Sequence, residues 1–369
     1  MTSTAALPPL AQRVLGSRLL ASLTSPHGVD HYLRQINPMW AATDVRARVV
    51  DVTRETDGEH PVATLTLEPT STWRGHRSGQ YVQVGLEVAG RRTTRCFSIS
   101  SAASLPGERF TITVRAHEEG IVSKYLVREA QPGLILHLSQ AEGAFTVHES
   151  AATPTNNHLV MISGGSGITP VMSHIRTFLR DGYDGHAQRK ITFVHYARSP
   201  EDQIFADELR EIAAADNGIT VHLRYGPHLF DADELRLMVG GDYTDMDTWV
   251  CGPAGLVELV QEAYGDSPRL RVEFFKPPAF AKDDDAEGTL AFNLAGSTAS
   301  NDGSSILEQA EAAGLTPEFG CRMGICFSCT SRKTEGTVRN ILTGETSSLP
   351  DEDVRICVSA PVGSCAVDL

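Results

Sequence analysis

Apolar and polar residues alternate with period two along a series of short runs between Val45 and Glu149: ARVVDV, VATLTLE, QYVQVGLEV, FTITVRA and LILHLS. Such alternation sets one face of each strand on a core and the other toward solvent. Turn residues separate the runs, as at Thr56-Asp57-Gly58 and Pro106-Gly107, so this segment is expected to form an antiparallel β-barrel interrupted by one helix at Val122–Ala130. From His158 the pattern changes. LVMIS is continuously apolar, GGSGITP follows at 164–170, and the runs ITFVHYA, ITVHLRY, TWVCGP and LRVEFF alternate with helical stretches. Strands apolar on both faces and separated by helices predict an α/β doubly wound parallel sheet, with its first helix starting near Pro170. A third pattern fills 288–369: a strand LAFNL, a helix at Ile306–Ala313 with Ser305 and Glu308 in capping-box register, and strands near TVRN, RICVSAPV and CAVDL. These elements predict a small α+β module.

The chain thus divides into an extension at 1–43, a barrel at 44–150, an α/β domain at 151–276, a linker at 277–287 and the final module at 288–369. The linker is rich in Pro and Asp and has little to pack with. In the extension, Leu10–Leu23 carries Arg13 and Arg18 among leucines. This predicts a basic amphipathic helix, suited either to a membrane surface and a partner there or to packing on its own protein. A 369-residue chain with 41% hydrophobic and 21% charged residues reads as ordinary globular protein. No apolar run is long enough to span a bilayer and the N-terminus lacks a signal-peptide pattern, so the expected address is the cytoplasm, or the cytoplasmic face of a membrane if the extension binds there. A net charge of −14 argues against nucleic acid as a partner. Seven cysteines in a reducing compartment read as ligands and free thiols.

Three of those cysteines, Cys321, Cys326 and Cys329, stand at C-x4-C-x2-C, and Cys357 follows after a strand-rich interval. Two irons need four thiolates, and a loop that supplies three must curl round the cluster, which Gly320 and Gly324 permit. This is the plant-type [2Fe–2S] spacing. A zinc site would usually pair its cysteines as two short knuckles, and only Cys326 and Cys329 make one. Cys365, in a β-alternating run, is expected to pack rather than ligate. Upstream, Arg95-Cys96-Phe97-Ser98 offers a guanidinium for a pyrophosphate, a ring to stack on a flat heterocycle and a hydroxyl for a ring nitrogen. Gly120-Ile121-Val122-Ser123 opens a helix and offers N–H groups to phosphate. Gly165 and Gly167 lie in a strand-to-helix turn that lets a dinucleotide approach the backbone, although the turn is not a G-x-G-x-x-G fingerprint. Cys251-Gly252-Pro253 ends a strand on the carboxyl edge where such sheets bind ligands. Each of these also has a plain structural reading as a surface arginine, a core aromatic, a helix cap or a packing thiol.

Together, and in this order, the motifs resemble the ferredoxin–NADP⁺ reductase superfamily with a C-terminal plant-type ferredoxin of β-grasp fold. The resemblance covers about 44–369. It implies that Arg95 binds the flavin pyrophosphate, Phe97 flanks the flavin ring and Ser98 hydrogen-bonds near its reactive nitrogen, with Gly120, Val122 and Ser123 at the pyrophosphate. Gly165, Gly167, Thr169 and Pro170 would form the nicotinamide-nucleotide turn. Cys251, Gly252 and Pro253 would sit beside the nicotinamide, and Glu273 and Phe275 match an E-x-F that closes the nucleotide domain, with Ser98, Cys251 and Phe275 nearest the hydride transfer. Phe97 stands where the family usually has tyrosine, which removes one hydroxyl. The intact G-x-V-S favours FAD over FMN. Arg198 and Ser199 follow the second strand where a 2′-phosphate reader would sit, with Arg224 at the end of the third, which tilts the choice between NADPH and NADH toward NADPH. The run GICFSCTSRKTEGTVRN, with RICVSAPVGSCAVDL, resembles reductases of membrane di-iron enzymes, particularly acyl-CoA (stearoyl-CoA) desaturases. Electrons would then pass from NAD(P)H through FAD and the [2Fe–2S] cluster to such a desaturase or an alkane hydroxylase. The alternatives are a soluble Rieske, di-iron or cytochrome P450 oxygenase as acceptor, a stand-alone diaphorase, or a redox sensor without turnover.

Overall fold

The computed structural model of the chain describes residues 15, 24, 27–88, 91–118, 120–147, 150, 156–181, 189–275, 286–320, 322, 324 and 326–369. These fall into two compact units, Met1–Phe274 and Phe275–Leu369. The helix expected at Leu10–Leu23 lies outside the described residues, apart from Leu15. The extension instead contributes α1 (Val29–Ile36), which is tied to the barrel. Asp30 accepts hydrogen bonds from the amides of Ala42 (2.6 Å), Thr43 (2.9 Å) and Asp44 (3.2 Å) and from Thr43 Oγ1 (2.6 Å). The fully buried Arg46 donates through Nε to Pro38 O (2.9 Å), through Nη2 to Trp40 O, and lies 3.3 Å from Asp44. Among the described residues no helix is long and apolar enough to cross a membrane.

The barrel comprises β1 (Val45–Thr56), β2 (Val62–Pro69), β3 (Tyr81–Val88), β4 (Arg91–Ser98), β5 (Phe110–Arg115) and β6 (Ile135–Leu138), hydrogen-bonded in the order β4-β3-β6-β1-β2-β5. A bridge between Ile99 and Ile112 joins the two ends of that order. Its core gathers the inward set of the alternating runs, among them Val49, Leu65, Leu67, Val84, Ile112 and Leu136. The single helix α2 (Ile121–Arg128) buries Val122 and Leu126 in the same core.

The second domain is a parallel sheet of β7 (His158–Gly164), β8 (Lys190–Ala197), β9 (Ile219–Tyr225), β10 (Asp247–Gly252) and β11 (Leu270–Phe274), in the order β11-β10-β7-β8-β9. Helices α3 (Ile168–Asp181), α4 (Ala206–Ala214), α5 (Ala232–Val239) and α6 (Ala254–Tyr264) connect the strands. After β7 the chain first makes a 3₁₀ turn, Gly165–Gly167, so α3 begins at Ile168 and Pro170 is its third residue rather than its first. The first-turn N–H groups have no intrahelical acceptor, so the proline is equally at ease there. α3 clamps this domain to the barrel. Ser173 Oγ donates to Ser101 O (2.6 Å), Arg176 Nη1 to Ser100 O (2.5 Å), and Thr177 Oγ1 accepts from the Ala103 amide (2.8 Å).

In the second unit, β12 (Thr289–Phe292), β13 (Ser297–Ser300), β14 (Thr330–Asn340), β15 (Thr346–Ser347) and β17 (Ser359–Val367) run in the order β13-β12-β17-β14-β15, with β16 (Glu352–Arg355) beside β14. Helix α7 (Ile306–Ala312) starts in the expected capping box and buries Ile306, Leu307 and Ala310. One expectation is corrected. RICVSAPV is not a single strand: it breaks after Arg355, Cys357 sits in the turn, and SAPV joins the following residues through Val367 in β17. Most of the expected linker, 277–285, lies outside the described residues.

The Asp30 cluster generates a stability prediction. A carboxylate serving three amides and a hydroxyl is expected to contribute about 2–3 kcal/mol, since hydrogen bonds to charged groups are worth roughly 1.5–3 kcal/mol. Asp30→Ala should therefore lower the urea unfolding free energy by that amount and expose 36–44 to protease. A loss under about 0.5 kcal/mol, the range of an ordinary surface substitution, would show that α1 is held by something else.

Candidate functional site

In the barrel, Arg95, Phe97 and Ser98 lie along β4, paired to β3 at Val84, Val82 and Tyr81. Ser98 is buried and Phe97 packs on the barrel core. Arg95 is half-buried, and its Nη1 donates to Thr94 O at 2.8 Å. α2 packs near β4, and its N-cap is Gly120 with no side-chain cap. A Cβ on Gly120 would stand 2.3 Å from Ser123 Oγ, so a side chain there would displace that hydroxyl; with glycine and no side-chain cap the first amides of the helix stay open to an anion. Ser123 Oγ already donates to Gly120 O (3.2 Å) and accepts from the His117 amide (3.3 Å). Val122, expected at the cofactor, puts its side chain into the core, so only its backbone is available for binding.

In the parallel sheet the strand order reverses between β7 and β10, which sets the Gly164–Gly167 turn beside Cys251-Gly252-Pro253. The approach is tight. A Cβ on Gly167 would lie 2.2 Å from Cys251 O, one on Gly252 3.1 Å from Gly164 N, and one on Gly164 2.9 Å from Pro253 Cδ. Such a crevice at the carboxyl ends of parallel strands is where open α/β sheets bind ligands. Thr169 Oγ1 donates to Ser166 O (3.0 Å) and the Thr169 and Pro170 side chains are buried, so both shape the turn rather than reach outward. Cys251 is fully buried and opposite Glu273 in the β10–β11 register. Burial raises the Cys251 thiol well above its ordinary value and pushes the Glu273 carboxyl up to about 8. Burial thus favours the neutral form of both groups. Glu273 Oε2 is closed off and has no hydrogen-bond partner among the described residues. Phe275 is half-buried directly after β11, where the two units meet in sequence.

Of the nucleotide-reading candidates, Arg198 is exposed, Ser199 Oγ donates to Asp202 Oδ2 (3.3 Å), and Arg224 is held by Glu234 at 2.5 Å. One residue escaped the sequence reading. Arg115 ends β5 in the barrel, yet its Nη1 stands 3.2 Å from where a Cβ on Gly165 would be, and its Nη2 lies 3.8 Å from Asp202. Its side chain is only 14% exposed, and burial followed by the Arg198 charge lowers its pKa. A guanidinium beside a glycine turn suits an anion, and the Arg198 charge lies near enough to act on it. In sequence, Arg115 is one arginine at the end of a strand, with no motif to mark it.

In the second unit Cys326, Cys329 and Cys357 are all buried; Cys321 lies outside the described residues. The Cys357 thiol beside it, through a hydrogen bond, draws the Cys329 thiol down to about 7. A Cβ on Gly320 would fall 2.7 Å from Cys326 Sγ, and Gly324 has φ +71°, so the loop closes round its own sulfurs as a thiolate cradle must. Cys365 is buried in β17, as expected of a packing residue. The donor set fits an iron–sulfur cluster, and the β4 and α2 groups and the paired glycine turns fit a flavin and a nicotinamide nucleotide.

Comparison with known proteins agrees. Residues 50–147 match an oxidoreductase FAD-binding domain, 161–262 an oxidoreductase NAD-binding domain and 292–362 a 2Fe-2S iron–sulfur cluster binding domain. The NADPH oxidoreductase of Mycobacterium tuberculosis (strain ATCC 25618 / H37Rv) is 34% identical over 360 residues, spanning 95% of this chain and 91% of that protein. The glycine betaine monooxygenase reductase subunit of Pseudomonas aeruginosa (strain UCBPP-PA14) is 28% identical over 376 residues, spanning 90% and 98%. Phthalate dioxygenase reductase shares the fold, with a TM-score of 0.58 at 19% identity over 88% of this chain and 98% of that one. The chain belongs to the ferredoxin–NADP⁺ reductase-like oxidoreductases, in which an FAD-binding barrel and a nicotinamide-nucleotide domain are followed by a C-terminal [2Fe–2S] ferredoxin domain.

Proposed function

We propose that this protein is the reductase component of an oxygenase system, drawing electrons from NADPH and delivering them singly to a protein acceptor. The observation that carries the reading is the abutment of the two glycine turns beside Arg115, in a chain that also encloses a set of buried cysteines. When bound, the flavin supplies the exchange between a two-electron donor and a one-electron cluster. The chain's own residues bind and orient. Arg95 and the open amides behind Gly120 would hold the flavin pyrophosphate, Phe97 would flank its ring and Ser98 would hydrogen-bond to it. Arg115 and the amides of the Gly165–Gly167 turn would hold the nucleotide phosphates, with Arg198 reaching a 2′-phosphate. Cys251, Gly252 and Pro253 would seat the nicotinamide in a corner with Glu273, where burial favours uncharged groups, and Phe275 would cover it. Cys321, Cys326, Cys329 and Cys357 would ligate the cluster. An oxygenase as acceptor is supported by the reductase subunits among the relatives. The desaturase expected from the C-terminal run finds no support there, nor does membrane contact through the extension.

An anaerobic titration followed at flavin and iron–sulfur wavelengths tests the order. NADPH is expected to bleach the flavin and then the cluster at lower concentration than NADH; a cluster that stays oxidised would break the serial path. Cys326→Ser should abolish the electron paramagnetic resonance of the cluster and the reduction of protein acceptors, while leaving bound flavin and ferricyanide reduction in place. A normal resonance would remove Cys326 from the ligand set. Glu273 gives a pH signature. A carboxyl whose folded value is raised favours the neutral form, so its contribution to stability falls as pH rises from about 4.5 to about 8. Glu273→Gln should flatten the unfolding free energy over that window, and an unchanged slope would refute the buried neutral acid.

A further inference from the structure

Phe327 lies between Cys326 and Cys329 and holds a left-handed backbone, φ +56°, with 63% of its surface exposed. A bulky residue in that region costs roughly 1–3 kcal/mol, whereas glycine adopts it freely. Leaving the ring in water also forgoes roughly 1.5–3 kcal/mol of burial. The ring is not part of the hydrophobic core of its unit, so core packing does not offset either cost. Its neighbour is Arg355, whose guanidinium carbon stands 5.0 Å from the ring centroid while Nη1 donates to Gly324 O. Arg355 makes no ion pair among the described residues. Arg322, on the cysteine loop itself, is instead paired with Glu311 at 2.5 Å and stacks on Phe319. An exposed aromatic, beside a cation with no ion-pair partner among the described residues, therefore sits on the cysteine loop of a module in which acidic residues outnumber basic ones.

We propose that Phe327, flanked by Arg355, is the anchor on which the ferredoxin domain docks its electron acceptor, and that the acceptor's contact face is apolar at its centre with a carboxylate beside it. Aromatic side chains dominate interface energetics when a partner covers them, and a single cation beside one sets orientation and encounter rate. An acceptor seated on Phe327 is one residue along the chain from Cys326 and two from Cys329, which keeps the electron path short. The inference rests on the reading of Cys321, Cys326, Cys329 and Cys357 as cluster ligands.

Stopped-flow reduction of three probes by the holoenzyme tests it: cytochrome b5, which is acidic around its haem edge, cytochrome c, which is basic there, and ferricyanide. Phe327→Gly and Phe327→Ala are both expected to slow cytochrome b5 about tenfold while ferricyanide stays within about twofold. Phe327→Gly should also hold or raise the thermal midpoint of the domain, because the left-handed strain is gone. Arg355→Gln should slow cytochrome b5 and leave cytochrome c unslowed. Unchanged cytochrome b5 rates in both Phe327 variants would overturn the proposal. So would equal slowing with ferricyanide, or loss of cluster absorbance, either of which would make the ring a lid. If Cys326→Ser still reduced cytochrome b5, the cluster would not be the exit and the docking site would fall with it. If Cys326→Ser abolished reduction while the Phe327 variants did not slow it, the docking site alone would fall.

Discussion

No side chain fits between Gly167 and the Cys251 carbonyl, where an added Cβ would stand 2.2 Å from the oxygen. The nucleotide end of the molecule depends on that approach. It exists because the strand order reverses between β7 and β10, so two neighbouring parallel strands end side by side and their chains must turn away within a residue or two. One turns through Gly165–Gly167 into α3 and the other through Pro253 into α6. Both helix starts leave amides without intrahelical acceptors, and these accumulate along one crevice. The barrel then adds Arg115 to the same place. Its position is set by the clamp of α3 on Ser100, Ser101 and Ala103, which fixes the barrel against the sheet.

The features legible in the sequence are those whose physics is local. Period-two alternation gave the barrel strands, continuous apolar runs gave the parallel sheet, and a serine three residues before a glutamate gave the cap of α7. The cysteine spacing pointed to a cluster for the same reason, since three of the four positions share one loop. Non-local features were not legible. Arg115 and Gly165 are distant in the chain and become neighbours only when the barrel meets the sheet. The Asp30 and Arg46 network joins α1 to the barrel through backbone groups that no pattern marks. Cys357 misled in the opposite direction, because Ile356 and Val358 make its surroundings look like a strand while the chain turns there. Val122 and Thr169 carry motif positions, yet their side chains serve the core and the turn, so the motif at those positions is a demand on backbone shape.

Charge is distributed unevenly along the nucleotide crevice, and the asymmetry has a consequence. At one end Arg115 feels the charge of Arg198, and Asp202 is its ion-pair partner. At the other, burial favours the neutral forms of Cys251 and Glu273. A dinucleotide seated across the turns as proposed would lay its phosphates against the arginines and its nicotinamide against the neutral corner. The reduced ring is uncharged and suits that corner. Oxidation leaves a cationic ring in a place of low polarity, where an isolated charge is poorly solvated. A fully ionised Glu273 would stabilise that cation and retain the product. A carboxyl whose surroundings favour the neutral form would do so less, so in the proposed seating the burial that raises Glu273 would also weaken the grip on the oxidised nucleotide, while the phosphate end would hold both forms alike.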